Sequence, residues 1–195
     1  MKRTEEVYRE ILYQAEKGNK VLTQKAISEK LGLSLSNVSN ALRPLRDMGA
    51  IKVKKMCFHV INPKKILYYW ASIRNLKKDV IYSTRANFGV AEIEKSMPDS
   101  VVFTAYSGYK HKFKDAPADY SEVYVYADDA EEIKKRFPES KNAPNLFILK
   151  KDKNIDKYGK LATNANILVD LWNLSEWYAQ DFLKAMEQKW NTGIQ

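Results

Sequence analysis

The stretch GLSLSNVSNALRPLRDMGA, residues 32–50, gathers on one side of a helical repeat the kinds of side chain that read hydrogen-bonding edges. Val38, Ala41, Leu42, Leu45 and Met48 recur at helical spacing and bury one face. Ser36, Asn37, Ser39, Asn40 and Arg43 fall on the other. These short polar residues are mediocre helix formers, whereas a merely solvated face is more usually Glu and Lys. Their chemistry suits nucleic-acid recognition: Asn pairs bidentately with adenine and Arg with guanine, while Ser contacts phosphate. Short side chains also let a helix approach the floor of a groove. Pro44 has no N–H for the Asn40 carbonyl, so a bend or a tightened turn is expected there.

Elsewhere the sequence offers little for covalent chemistry. A nucleotidyltransferase needs Gly-Ser beside its first strand and two strand-borne carboxylates that hold metal ions. Here Ser107-Gly108 stand in the reverse order, and Asp128 and Asp129 are adjacent. Adjacent carboxylates on a strand point to opposite faces, and Asp129 reads better as a helix cap. No phosphate-cradling Gly-rich loop and no GxSxG elbow appears. Cys57, His59 and His111 are all the Cys and His the chain has, and a structural zinc takes four ligands. Cys57 and His59 would share a strand face without a third group to orient them. The sequence therefore assigns no catalytic residue, no metal ligand and no cofactor. Stretches such as YYW, AYSGY and YVY suit base stacking or an effector pocket, but most of the twelve tyrosines must be core and surface. Asp170, set among apolar neighbours, needs a partner if buried; a cap or a basic residue is expected to supply it.

The elements that must position the polar helix follow from short-range signals. Thr4 is the expected N-cap of a first helix over about 5–17, with Val7, Ile11, Leu12 and Ala15 inward and Gly18 ending it. Thr23 caps a second helix that buries Ala26, Ile27 and Leu31; Gly32 makes the turn and Ser34 caps the polar helix. Residues 50–61 read as a hairpin, with Ile51 and Val53 alternating with lysines and Lys54-Lys55 near the tip. Asn62-Pro63 opens a fourth helix, whose stripe is Ile66, Tyr69, Trp70, Ile73 and Leu76. Beyond it, DVIYST, SVVFTAY, SEVYVYAD and NLFILKK read as strands. VAEIEKSM, DAEEIKKRF and a last helix capped by Ser175 lie between and after them. The last helix presents Tyr178, Ala179, Phe182, Leu183, Met186 and Trp190 on one face. The expected class is α+β: a helical unit with a wing over residues 1–76, including the connecting helix, then a mixed α/β unit over 77–195.

Charge divides the chain at the same place. Net charge is +9 over 195 residues. Residues 1–76 hold 15 Lys and Arg against 6 Asp and Glu, whereas residues 77–195 hold 18 of each. A one-sided excess in a compact segment is the footprint of a polyanion partner. No apolar run approaches the roughly 20 residues of a membrane span, and the first residues lack the apolar core of a signal peptide. With a single cysteine and no membrane segment, a reducing cytoplasmic location is expected.

The order helix, helix-turn-helix, hairpin resembles the winged helix-turn-helix domain of prokaryotic transcription regulators. TQKAISEKLGLSLSNVSNALRPLRDMGAI carries that resemblance, with SNVSNAL as recognition helix. Over the whole chain the layout is similar to the AbiEi family of type IV antitoxin-like regulators, through Leu168, Val169, Asp170, Leu171 and Trp172 before the last helix. That resemblance implies promoter binding by the N-terminal unit, commonly as autorepression, and a separate antitoxin-like C-terminal unit. The expected function is thus a DNA-binding repressor or autorepressor, a homodimer on an inverted repeat of double-stranded DNA. Ser36, Asn37, Ser39, Asn40 and Arg43 face the groove. Lys52, Lys54 and Lys55 bind phosphates from the wing, and Thr23, Lys25 and Ser34 position the domain on the backbone. Tyr68, Tyr69 and Trp70, with Trp177 and Trp190, are expected at the dimer contact. Two alternatives stand beside it: an antitoxin or adaptor acting through a toxin or other protein, and a degenerate nucleotidyltransferase delivered by the winged helix.

Overall fold

In the computed structural model, residues 1–193 are described. Helix α1 (Arg3–Glu16) starts from Lys2, so Thr4 lies inside it rather than capping it. Strand β1 (Val21–Leu22) follows, then α2 (Gln24–Leu31) and α3 (Leu35–Asp47). The Thr23 hydroxyl accepts the Ala26 N–H at 3.0 Å and the Ser34 hydroxyl accepts the Asn37 N–H at 3.2 Å. Ile27 and Leu31 of α2 are buried, but Ala26, expected inward with them, is exposed. Between these two helices Gly32 takes φ +63°, a left-handed conformation that an L side chain adopts only with strain. Helix α3 stays helical through Pro44 as far as Asp47. Strands β2 (Ile51–Val53) and β3 (Phe58–Val60) form the expected hairpin, and β1 adds on the far side of β3. In register, Lys52 faces His59 and Val21 faces His59 from the other edge. Asn62 accepts the Lys65 N–H at 3.0 Å and opens α4 (Pro63–Ile73). Leu76, expected on the stripe of α4, lies instead in a 3-10 turn over Leu76–Asp79.

The second sheet has the order β4-β7-β6-β5, built from β4 (Val80–Thr84), β5 (Val102–Thr104), β6 (Val123–Ala127) and β7 (Leu146–Lys150). Strands β6 and β7 are parallel and the other pairs antiparallel. Helix α5 (Val90–Lys95) precedes β5, and α6 (Ala105–Phe113) follows it directly. Helix α7 (Glu131–Arg136) crosses from β6 to β7, and Asp129 accepts the Glu131 N–H at 3.0 Å at its start. After a 3-10 turn at Ile155–Tyr158 come α8 (Asn164–Trp172) and α9 (Ala179–Gly193). Two expectations need correction. The stretch AYSGYKHKF is helical because Ala105, at φ +49°, turns the chain straight out of β5. The last helix begins at Ala179, so Ser175 does not cap it.

Strand β6 is buried on both faces and shows how the layers stack. Tyr124 and Tyr126 join a large core, while Val123, Val125 and Ala127 join a smaller one with Ile93, Ile133 and Phe137. The large core runs without interruption from Val7, Leu12 and Leu45 through Ile66 and Trp70 to Leu168, Phe182 and Met186. The two sheets thus fall on either side of residue 76, but the apolar core does not divide there.

Polar side chains cross the same seam. Arg9 on α1 donates through both terminal nitrogens to Asp152, at 2.8 and 2.6 Å. Asp170 accepts from Arg74 Nε at 3.3 Å, Thr104 at 2.7 Å, Tyr126 at 2.7 Å and Asn166 at 2.8 Å. The buried carboxylate that the sequence singled out is therefore paired and hydrogen-bonded on every side, as burial demands. No helix among the described residues is long and apolar enough to cross a membrane.

Candidate nucleic-acid interface

Helix α3 is about 20 Å long at 1.5 Å per residue, and it is anchored by Val38, Ala41, Leu42 and Leu45, all buried. Tyr8 on α1 adds a polar anchor by donating to the Ala41 carbonyl at 3.1 Å. Those contacts fix which face looks outward. Ser36, Ser39, Asn40 and Arg43 are exposed and Asn37 is half-buried, so the polar face stands clear of the core. A helix about 10–12 Å across fits a major groove about 12 Å wide.

Two hollows bracket this face. One, of about 410 Å³, is lined by Gln24 at the start of α2, by Ser39, Leu42, Arg43 and Arg46 on α3, and by Val53 on the wing. It brings Ser39 and Arg43 together with Gln24 and Arg46, two residues to which sequence periodicity assigns no role. Arg46 shares its charge with Asp47 at 3.2 Å, both largely in solvent. The other hollow borders the first turn of α3, where Ser34 and Asn37 meet residues from β7. Ser36 and Asn40, four apart, lie on the open ridge between them.

The remaining predicted contacts flank the helix. Lys52 is exposed on β2, and Lys54 and Lys55 lie in the turn of the hairpin, which the Lys54 N–H closes by donating to the Cys57 carbonyl at 2.7 Å. Lys25 is exposed with Glu29 at 3.8 Å, too open a pair to hold its charge back from a phosphate. Thr23 and Ser34 each use an oxygen lone pair in capping, which leaves each O–H free to donate outward.

Burial sharpens the electrostatics beyond what counting residues can. Of the six acids in residues 1–76, Glu5, Glu6 and Glu10 are buried on α1 and Glu16 is largely so. Only Glu29 and Asp47 are exposed, each beside a cation, while the basic residues apart from Arg9, Lys30 and Arg74 are exposed. The outer surface of this part is therefore more one-sidedly positive than its composition.

Residues 1–56 match the family model described as iron dependent repressor, N-terminal DNA binding domain. Neither a curated protein nor a solved structure matches the chain. The N-terminal part is a DNA-binding domain of the winged helix-turn-helix kind, and the match ends inside its hairpin, between β2 and β3. Among the described residues no three His, Cys, Asp or Glu come together so as to hold a metal ion. Cys57 is half-buried in the wing with only His59 near it in sequence.

Proposed function

We propose that this protein is a DNA-binding repressor that acts as a homodimer on an inverted repeat, with α3 in the major groove and the β2–β3 wing on the flanking backbone. The observation that carries it is the outward face of Ser36, Ser39, Asn40 and Arg43 in a part of the chain where, of six acids, only Glu29 and Asp47 are exposed. The match of residues 1–56 to a repressor DNA-binding domain supports the same reading. Asn40 and Arg43 specify bases; Lys52, Lys54, Lys55, Thr23, Lys25 and Ser34 hold phosphates. Autorepression, in the manner implied by the AbiEi-like layout, makes the protein's own promoter the first probe.

The C-terminal unit is proposed to act without catalysis. In support, Ser107 is fully buried within α6 and Asp129 accepts the Glu131 N–H at the start of α7, which leaves Asp128 as the exposed carboxylate of a nucleotidyltransferase reading without such an engagement. For the dimer contact, Trp70 and Trp190 are buried and drop out of the expected set. Tyr68 touches Trp172 at 5.4 Å, and Trp172 and Trp177 are 46% and 77% exposed. These three are the better candidates for the twofold surface.

Footprinting on the upstream region is the decisive experiment, together with a titration of affinity against salt. Protection of two half-sites about one helical turn apart, or a multiple of that, is expected. Asn40→Ala and Arg43→Ala should relax preference at particular base pairs by about 1–3 kcal/mol, whereas Lys54→Ala and Lys55→Ala weaken all sequences alike. A protein that sediments as a 22.6 kDa monomer and protects a single half-site would overturn the dimer.

A further inference from the structure

A cleft of about 660 Å³ opens where the helix-turn-helix meets the end of β7. One wall is the turn from Leu31 to Ser34 with Asn37 and with Arg3 of α1; the other is Lys150–Asn154 with Asp128. The second wall belongs to the part of the chain whose charges sum to zero. Side chains stitch the walls together. Asn154 Nδ2 donates to the Leu31 carbonyl at 3.1 Å and to Glu6 at 2.5 Å, Arg9 grips Asp152, and Lys157 donates to the Lys30 carbonyl.

Not all the charge in the cleft is free to act. Asp152 is held by Arg9, Glu6 by Asn154, and Lys151 is buried against Asp156 at 2.6 Å. What is exposed is Arg3 on the first wall and Asp128, Lys150 and Lys153 on the second, three cations to one acid. Among the described residues, Arg3 and Lys153 have no ion-pair partner, and Lys150 is held only by the Asp128 carbonyl. Ser34 and Asn37 belong both to this cleft and to the first turn of α3. The cations are therefore continuous with the face that reads bases, at the end of the helix whose dipole has the same positive sign.

We infer that Lys150 and Lys153 are phosphate contacts by which the C-terminal unit extends the duplex interface, on the backbone strand beside the N-terminus of α3. This rests on the DNA-binding reading above and enlarges it, because the composition alone confines binding to residues 1–76. The partner is a phosphodiester backbone rather than a free anion, since Lys150 and Lys153 are exposed and share their cleft with Ser34 and Asn37 of the first turn of α3, rather than being buried around one point.

The test uses the full chain and a labelled random-sequence duplex over a series of salt concentrations. The double variant Lys150→Ala/Lys153→Ala should weaken binding on every sequence and flatten the plot of log K against log salt by about 0.9 for each phosphate no longer neutralised. Lys141→Ala, exposed ahead of the opposite end of β7, should leave both quantities unchanged. Lys153→Glu should reduce affinity more than Lys153→Ala. If the double variant keeps wild-type affinity and slope while Lys54→Ala weakens binding, the inference is wrong and the DNA-binding reading stands. A weakened double variant whose slope is unchanged also overturns it, because the weakening then does not come from phosphate neutralisation. Saturable binding of inorganic tripolyphosphate, abolished in the double variant with the duplex slope intact, reassigns the cleft to a small anion. If the wild type binds no duplex at all, both readings fall together.

Discussion

Glu16, near the C-terminus of α1, carries a measurable signature. Burial pushes its carboxyl up to about 7, and Lys112 and hydrogen bonds from Asn164 and the Ala165 backbone offset this only in part. Between about pH 4.5 and 7 the folded chain holds a proton that the unfolded chain has released, so stability falls as pH rises through that window. The size is about 3 kcal/mol, from 1.36 kcal/mol per unit. Glu16→Gln should therefore match the wild type near pH 5 and exceed it by about that much at pH 8, in urea unfolding followed at both values. Asp152 works in the opposite sense. Burial raises its carboxyl, but the two bonds from Arg9 outweigh that and hold it below the usual range. Its contribution is present above the ordinary carboxylate pKa near 4 and is lost as pH falls further. Asp152→Ala leaves Arg9 buried without its partner and should cost about 3–5 kcal/mol at neutral pH.

At the scale of elements, Gly32 sets the angle between α2 and α3. Nothing crowds the space its side chain would occupy, so the cost of Gly32→Ala is that of the left-handed backbone alone, about 1–2 kcal/mol, read as a lowered midpoint in thermal unfolding. The elements around it are legible in the sequence because their signals act over three or four residues. Thr23, Ser34 and Asn62 each accept an N–H three residues on, and no distant contact is needed to make them do so. Helix α6 is not legible: its Tyr, Ser, Gly and Lys residues have no clean apolar period, and the turn at Ala105 that starts it is set by packing. There the close approach matters, since a side chain at Gly108 would come within 3.1 Å of the Phe103 carbonyl. The outer face of α1 misleads for a different reason. Glu6, Arg9 and Glu10 fall off its apolar positions yet are buried, because their partners Asn154, Asp152 and Tyr158 lie over 140 positions away in sequence. Within the interface, the face of α3 can be read from periodicity, whereas Gln24, Arg46 and the cations beside β7 depend on which elements fold against it.

Over the whole molecule, the continuous core predicts one cooperative unfolding event rather than two. Calorimetry of the full chain should give a single transition with equal calorimetric and van't Hoff enthalpies. A fragment of residues 1–76 should fail to melt cooperatively, because it loses α9 and α8, which packs on α4, and with them the contacts of Tyr68 with Trp172 and Glu187 and of the Ala71 carbonyl with Asn173. It would also leave Arg9 and Arg74 without Asp152 and Asp170. The Arg9–Asp152 clamp has a consequence for protein engineering. Winged helices invite transplantation, since a recognition unit spliced to a foreign effector domain is expected to carry its specificity along. In this chain the recognition unit has much of its electrostatic closure in the other half, so a chimera joined at residue 76 inherits an Arg9 without its carboxylate, an Arg74 left with Glu5 alone of its three, and a bare aromatic flank. A graft that keeps the address must carry at least the loop around Asp152 and helix α8 with it, which makes the heritable unit of specificity most of the protein.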